Sequence, residues 1–376
     1  MNVLFIAGWY PNSTFIYQGI FVKKHAQALK SVGINVKVVA FTINKSNKIL
    51  ENYTKCLVDE NGIETLLIEI NSVFHKFFRL SVNWQYRFMK KKITSCFNNF
   101  KPDIIHSNVL FTAGILGHKL AANYKVPHVI TEHWSKADAF IEKGLFSGIA
   151  KQVLASASQI MPVSSYLASK LDKFIPGNKI TVVPNAVNTD IFRFRNTSNN
   201  EELVFGCLAN WEPPKRPDLI FEGLEAYVKK SGKKIKLIAV GGGILIEPIK
   251  KQNWNFEVEF HGFVSSEEII NVFKDVKFLL HASENETFSI ILAEAAIMGI
   301  PMVASNKGAM PELVNNENGI LTENTIEAWV QAIEKITALK YNWKQLSDDM
   351  IKRTSYQNVG MAYKSVYEKA LLAYLN

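Results

Sequence analysis

"SENETFSIILAEAAIMGIP", residues 283–301, sets two glutamates eight positions apart in very different company. Glu286 lies among polar neighbours, whereas Glu294 is flanked by Ile290, Ile291, Leu292, Ala293, Ala295, Ala296, Ile297 and Met298. A helix that is apolar on every side is a buried helix, and a carboxylate inside one is costly unless hydrogen-bond donors meet it. Phe288 and Ser289 stand at the helix start, where the first backbone N–H groups lack helical partners and favour an anion. Gly299 closes the helix and Pro301 begins a strand.

The same alternation runs outward in both directions. In the second half, strand-like runs fall at Val204–Leu208, Leu237–Val240, Val258–Phe260, Phe278–His281 and Pro301–Ala304, with helical stretches at Asp218–Lys230 and Glu267–Phe273. The chain opens with a buried strand, Val3–Ala7, a turn-rich loop through Gly19, and a helix with Phe21, His25, Ala28, Leu29 and Val32 at helical spacing. Ile34–Phe41 is the next strand, and further apolar runs at Ile104–Ile105, Val129–Ile130, Ile160–Val163 and Ile180–Val183 continue the pattern. Strand, helix, strand within about forty residues is a βαβ unit with a parallel sheet. The polar segment "RNTSNN", 195–200, separates the halves. The expectation is α/β: two Rossmann-like, doubly wound domains, 1–194 and 195–355, facing a central cleft, with a final helix over 356–376.

A chain of 376 residues suits two such domains. Mean hydropathy is +0.02, and no apolar run approaches the ~18–20 residues of a spanning helix. The N-terminus, MNVLFIAGWY, lacks a signal-peptide pattern. Cys56, Cys96 and Cys207 include no C-x-x-C pair, so neither a disulfide frame nor a zinc site is expected, and a cytoplasmic location fits. Residues 1–195 carry 24 Lys/Arg against 11 Asp/Glu, a net +13, and the remainder carries −4. Such a split marks one half as facing an anionic partner.

Several chemistries lack their signatures. The chain holds no G-x-S-x-G, G-x-x-x-x-G-K-[ST] or H-E-x-x-H, and "AVGGGIL", 239–245, is a weak glycine signal. No D-x-D is present to hold a divalent metal on a nucleotide diphosphate, so no metal ligand is assigned.

Segment 284–305 resembles the E-x7-E region of retaining glycosyltransferases of GT-B architecture, the large family numbered four. Others follow in the family's order: "YQGIFVKKHAQALKSVG", 17–33; "VITEHWS", 129–135; "ITVVPNAVNTDIF", 180–192; "EPPKRPDLIFEGL", 212–224; and "VEFHGFVSSEEIINVFKDVKFLLHAS", 258–283. The resemblance implies a nucleotide diphosphate sugar as co-substrate, UDP-linked by default with GDP as the alternative, and no cofactor. It assigns His133 and Glu286 to the transferred sugar, Lys215 to the diphosphate, and Glu294 to the ribose hydroxyls, which would answer the donor question. Gly19 lets backbone approach the phosphates, and Thr287, Phe288, Ser289 and Ile290 line the anion-facing turn. The plain alternatives are a surface lysine at Lys215, a solvated acid at Glu286, and a helix-start glycine at Gly19. His25 and His261 are read as structural. The family's arginine before the lysine is missing from residues 204–211, so either Arg216 or a first-domain base substitutes, or Lys215 and backbone amides grip the diphosphate. The final helix, by resemblance, braces the first domain.

The acceptor expected is a hydroxyl of a glycan or lipid-linked molecule, as in bacterial surface polysaccharide assembly. Residues 74–97 interleave Lys76, Arg79, Arg87, Lys90, Lys91 and Lys92 with Phe74, Phe77, Phe78, Leu80, Trp84, Tyr86, Phe88 and Met89, and no acid occurs from 70 to 102. That composition fits an anionic membrane surface, against the plainer reading of an amphipathic helix with its aromatics in the core. The rival functions are a GT-B nucleotide-sugar epimerase or phosphorylase and a nucleic-acid-binding protein; the last leaves Glu294 without purpose, and no nucleic-acid partner is expected.

Overall fold

A computed structural model describes residues 1–12, 18–175, 177, 179–195, 202–340 and 342–375. Most of the separating segment expected at 195–200 therefore lies outside the described residues. The chain divides into two compact units, Met1–Ala186 with Tyr356–Asn376, and Val187–Ser355.

In the first unit the apolar runs become strands β1 (Asn2–Ala7), β2 (Asn35–Lys45), β3 (Glu51–Val58), β4 (Glu64–Ser72), β5 (Ile104–Asn108), β6 (His128–Glu132) and β7 (Gln159–Pro162). Their order is β3-β4-β2-β1-β5-β6-β7, parallel except for β3 against β4. Between them run α1 (Ile20–Ser31), α2 (His75–Leu80), α3 (Val82–Cys96), α4 (Ile115–Tyr124), α5 (Ala137–Lys143), α6 (Ser147–Ser156) and α7 (Ser165–Leu171).

The second unit holds β8 (Leu203–Leu208), β9 (Ile235–Val240), β10 (Glu257–His261), β11 (Phe278–His281), β12 (Met302–Ser305) and β13 (Gly319–Thr322), ordered β10-β9-β8-β11-β12-β13 and parallel throughout. Its helices are α8 (Pro217–Ser231), α9 (Ile246–Lys250), α10 (Ser266–Val272), α11 (Ile290–Ile297), α12 (Ile326–Ala338) and α13 (Trp343–Thr354). The last helix, α14 (Tyr356–Leu375), belongs to the first unit: Val359, Tyr363, Val366 and Tyr367 join the core that β1, β2 and α1 form with Val3, Phe5, Val22 and Leu29. Gly360 lets it lie close, because a Cβ there would sit 2.2 Å from the Ala28 carbonyl oxygen.

Both sheets reverse strand order beside their first strand, between β1 and β5 and between β8 and β11. Loops leaving the carboxyl ends of those neighbours part in opposite directions, which opens the crevice where such sheets bind ligands.

Three expectations need correcting. Residues 180–183 form no strand; Ile180 makes only an isolated bridge to Ile160. The β3–β4 hairpin is absent from the sequence reading because β3 is an exposed edge strand without apolar alternation. Its turn is nonetheless written as Asp-Glu-Asn-Gly: Asp59 Oδ1 accepts from the Asn61 and Ile63 N–H groups at 3.0 and 2.8 Å, and Gly62 takes φ +69°. That hairpin carries Cys56 to the end of α3, where it forms a disulfide with Cys96, Cα atoms 6.0 Å apart. The expectation of three free thiols fails, and with it the cysteine argument for a reducing compartment; Cys207 is free and buried. Among the described residues no helix is long and apolar enough to cross a membrane.

Candidate functional site

In the second unit the loops after β8 and β11, the pair at the order reversal, lie side by side. The Arg216 N–H donates to the Ala282 carbonyl at 3.1 Å and the Glu284 N–H to the Pro214 carbonyl at 2.9 Å, with Lys215 and Ser283 forming an antiparallel bridge. This pairing brings Lys215 to Glu286 as an ion pair whose side chains are only 18% and 13% exposed. The same Glu286 oxygen lies 3.0 Å from Nε2 of His281, the buried last residue of β11, and Ser289 Oγ lies 3.1 Å from that nitrogen. The backbone of Glu286 is fixed as well. Its carbonyl accepts from the Ala309 N–H at 2.8 Å, and a Cβ on Gly308, at φ +58°, would fall 2.4 Å from that oxygen.

Burial pushes Glu286 up, but Lys215 and then His281 outweigh it and hold the carboxyl at about 2. Burial pushes His281 below its ordinary value and the Lys215 charge adds to this, while Glu286 opposes. The cluster is thus a cation and a carboxylate joined through a neutral imidazole to a hydroxyl.

That hydroxyl stands at the start of α11. Ser289 sits at φ 65°, ψ 84°, left-handed backbone that glycine adopts freely and serine seldom does, and no side chain caps the first turn. Phe288 is buried, Thr287 and Ile290 are half-buried, and the rest of α11 is enclosed. Glu294 is 8% exposed and is not without a partner in the structure. Its burial therefore does not by itself demand an external donor. Arg216 is drawn to carboxylates: Nε lies 2.9 and 3.0 Å from the two oxygens of Asp218, and Nη1 2.5 Å from Glu284. These contacts tie the arginine side chain to its own loops.

The first unit has a matching construction beside its reversal, at β5 and β6. Asn108 and Glu132, the last residues of these strands, are buried. Glu132 accepts from the N–H groups of Leu110, His133 and Trp134 at 2.8, 2.9 and 2.8 Å, which fixes the turns that leave both strands. Burial pushes its carboxyl up to about 7, with those three amides pulling against it. His133 is buried, its Nε2 3.1 Å from Asn108 Oδ1. Burial, then the neighbouring His25 and His106, drive it well below the ordinary histidine range, so it is a neutral imidazole. Its Nδ1 and the Asn108 Nδ2 have no hydrogen-bond partner among the described residues.

Gly19 stands at φ 68° before α1, and a Cβ there would meet the Trp9 carbonyl carbon at 2.4 Å. The position thus demands glycine through its own backbone packing. His25 is a core residue, between Asn185 Oδ1 at 2.9 Å and the Tyr363 hydroxyl. His261 pairs with Glu259 at 2.7 Å.

The sequence reading missed His281, Asn108 and Glu132 as site residues. Their signal was partial: each is the last residue of a buried strand, but only His281 ends one that is otherwise apolar, since β5 reads IIHSN and β6 HVITE.

Residues 188–355 match the family profile described as glycosyl transferases group 1, and residues 18–191 that of glycosyltransferase family 4. An uncharacterised glycosyltransferase of Methanocaldococcus jannaschii is 26% identical over 71% of this chain and 75% of its own. The alpha-monoglucosyldiacylglycerol synthase of Streptococcus pneumoniae is 21% identical over 80% and 73%. A crystal structure of Anabaena HepE in complex with UDP-glucose shares the fold at TM-score 0.68 and 16% identity, covering 98% of this chain and 100% of that one. Two parallel Rossmann-like sheets and two abutting profile matches agree: the chain belongs to the family 4, group 1 glycosyltransferases of GT-B fold.

Proposed function

We propose that this glycosyltransferase moves a sugar from a UDP-linked donor to a hydroxyl of a glycan or lipid-linked acceptor, with retention of anomeric configuration and without a metal ion. The observation that carries the reading is the Lys215–Glu286–His281–Ser289 cluster beside the β8–β11 order reversal and the uncapped start of α11. Helix amides and a lysine form an anion site suited to a diphosphate. HepE, which shares the fold, binds UDP-glucose.

In this proposal Lys215 exchanges Glu286 for the diphosphate and offsets the charge that grows on the leaving group. Glu286, released, accepts from the sugar hydroxyls, and His281 keeps its orientation. Ser289, Thr287, Phe288 and Ile290 present the turn to the phosphates, and Glu294 takes the ribose. His133 acts as a neutral hydrogen-bonding group toward the transferred sugar, its free Nδ1 the available atom, while Gly19 keeps the first loop close. With no nucleophile–acid pair assigned, positioning carries the rate. Arg216 drops to a supporting role because Asp218 and Glu284 already occupy it. Calorimetry with UDP-, GDP- and ADP-sugars tests the donor, and a chain that binds none of them sinks the reading. NMR of the product anomer tests retention.

The lipid-linked acceptor has its own support. The segment 74–97 folds as two helices rather than one, and α2 buries no residue. Phe74, Phe77 and Leu80 are 55%, 65% and 50% exposed, beside Lys76 and the cations of α3. Apolar side chains held out among cations suit an anionic bilayer, on the cytoplasmic side where nucleotide sugars are available, and a relative of this chain is named as a diacylglycerol glycolipid synthase. Met89, by contrast, is core, as the plainer reading of α3 expects. Co-sedimentation with anionic vesicles should weaken with salt and with Lys90, Lys91 and Lys92 changed to Ser; absence of binding at low salt removes the membrane claim.

A further inference from the structure

The first unit contains a groove that no part of the donor chemistry uses. About 1000 Å³ in volume, it opens between α3, α4 and α6 and is lined by Leu80, Val82, Trp84, Ile115, Phe146 and Ile149 among others, with no acid in its wall. Its polar lining is cationic or neutral: Lys119 lies 5.9 Å from the Tyr86 ring centroid, and Asn123 is held by Lys90 at 2.5 Å.

A second, polar cavity of about 290 Å³ lies at the carboxyl ends of β1 and β2, lined by Gly8, Gln18, Asn44, Arg79 and Thr112 among others. The α2–α3 junction serves both: Arg79 and Gln85 face the polar cavity, while Leu80–Trp84 and Tyr86 face the apolar one. Across the wall, Phe111 of the polar cavity stacks on Phe146 of the groove with ring centroids 5.7 Å apart.

We infer that the groove receives the hydrocarbon chain of an amphiphilic acceptor whose anionic linkage meets Lys119 and Lys90 and whose hydroxyl-bearing head enters the polar cavity. The inference rests on the lipid-linked acceptor reading and deepens it: the lipid is bound as a single chain inside the protein, in addition to any docking of α2 on a bilayer surface. An apolar cavity of this size binds alkyl chains by removing them from water, whereas an acid-free cationic rim selects a phosphate-linked lipid over a cationic one.

The test is calorimetric titration of the whole chain with octyl, decyl and dodecyl phosphate below their micelle concentrations, with UDP titrated into the same preparations. The expected result is saturable one-to-one binding that tightens about fourfold per added methylene. Dodecyltrimethylammonium should bind at least tenfold more weakly than dodecyl phosphate. Ala122→Trp, an exposed position on α4, and Ile149→Glu, 40% exposed on α6, should each weaken alkyl phosphate binding at least tenfold and leave UDP affinity unchanged. Alkyl phosphate binding that is absent, or indifferent to both substitutions, overturns the groove assignment while normal UDP binding leaves the donor reading intact. If wild-type protein binds alkyl phosphates as expected but not UDP, the groove stands and the donor reading fails.

Discussion

Replacing Glu286 with Gln should tighten UDP binding while reducing sugar transfer. Lys215 is held by Glu286, so a diphosphate must compete with a carboxylate for its cation. The strength of that competition is readable from the carboxyl, which Lys215 and His281 together hold at about 2 in place of 4.5 although burial pushes it the other way. A displacement of that size corresponds to about 3 kcal/mol of net attraction, at about 1.4 kcal/mol per unit. An amide keeps the shape and one acceptor but gives up the charge, so most of this attraction vanishes from the free enzyme. Part of the gain is lost again because the amide still hydrogen-bonds Lys215, leaving an expected improvement of about 1–2 kcal/mol in UDP affinity, roughly five- to thirtyfold. Transfer should fall, since the group assigned to the sugar hydroxyls has lost its charge. Titration calorimetry with UDP, which lacks the transferred sugar, measures the first effect, and turnover with the identified donor the second. Unchanged or weaker UDP binding in a folded Glu286→Gln protein would show that Lys215 is not the phosphate's cation.

Lys215→Ala and Glu294→Gln should each weaken UDP binding by about 1–3 kcal/mol, the range for charged hydrogen bonds; wild-type affinity in folded Glu294→Gln protein removes the ribose assignment. Turnover in excess EDTA should stay within about twofold, well under the ~1.4 kcal/mol of a tenfold change, and activity lost to chelation and restored by magnesium or manganese refutes metal independence. Urea unfolding should show lower stability at pH 5 than at pH 7, because buried His25 and His128, held at about 4 and 3, and His106 and His133, also depressed, stay neutral while the unfolded chain protonates below about 6.5. His25 alone accounts for about 2 kcal/mol by pH 5; Glu132, raised to about 7, works in the opposite sense, and Glu286, depressed to about 2, loses its contribution only below 4.5.

Legibility followed burial. Strands enclosed on both faces, such as Phe278–His281 and Val3–Ala7, were found within a residue, because a doubly covered parallel strand is an apolar run. The β3 edge strand and the Cys56–Cys96 link escaped, since an exposed strand has no such run and a pairing 40 residues apart leaves no local trace. Ser289 hides its own geometry: a glycine there would have announced the left-handed turn, whereas serine occupies it at φ 65° and adds a hydroxyl 3.1 Å from His281. Lys215 and Glu286 were each read as donor-facing groups, but neither sequence position shows that they bind one another.

The missed residues share one construction, and it explains why site chemistry concentrates where it does. A buried parallel strand has its backbone satisfied by its neighbours until its last residue, where the chain must turn and leave N–H groups unpaired. Asn108, Glu132, His281 and Ser305 end β5, β6, β11 and β12, and all four are buried. Glu132 and Ser305 use their side chains on those amides: three for Glu132, and the Ser283 N–H at 3.1 Å for Ser305. Asn108 and His281 turn theirs instead toward His133 and Glu286, the groups proposed to meet the sugar. The strand end is thus the one place in the sheet where a polar side chain can be fully enclosed and still matter to a ligand. Half of these residues hold the loop, and the other half aim the group the loop carries. On that division Asn108→Ala and His281→Ala should impair transfer through misdirected His133 and Glu286 in a stable protein, whereas Glu132→Ala should cost stability first, by stranding three amides.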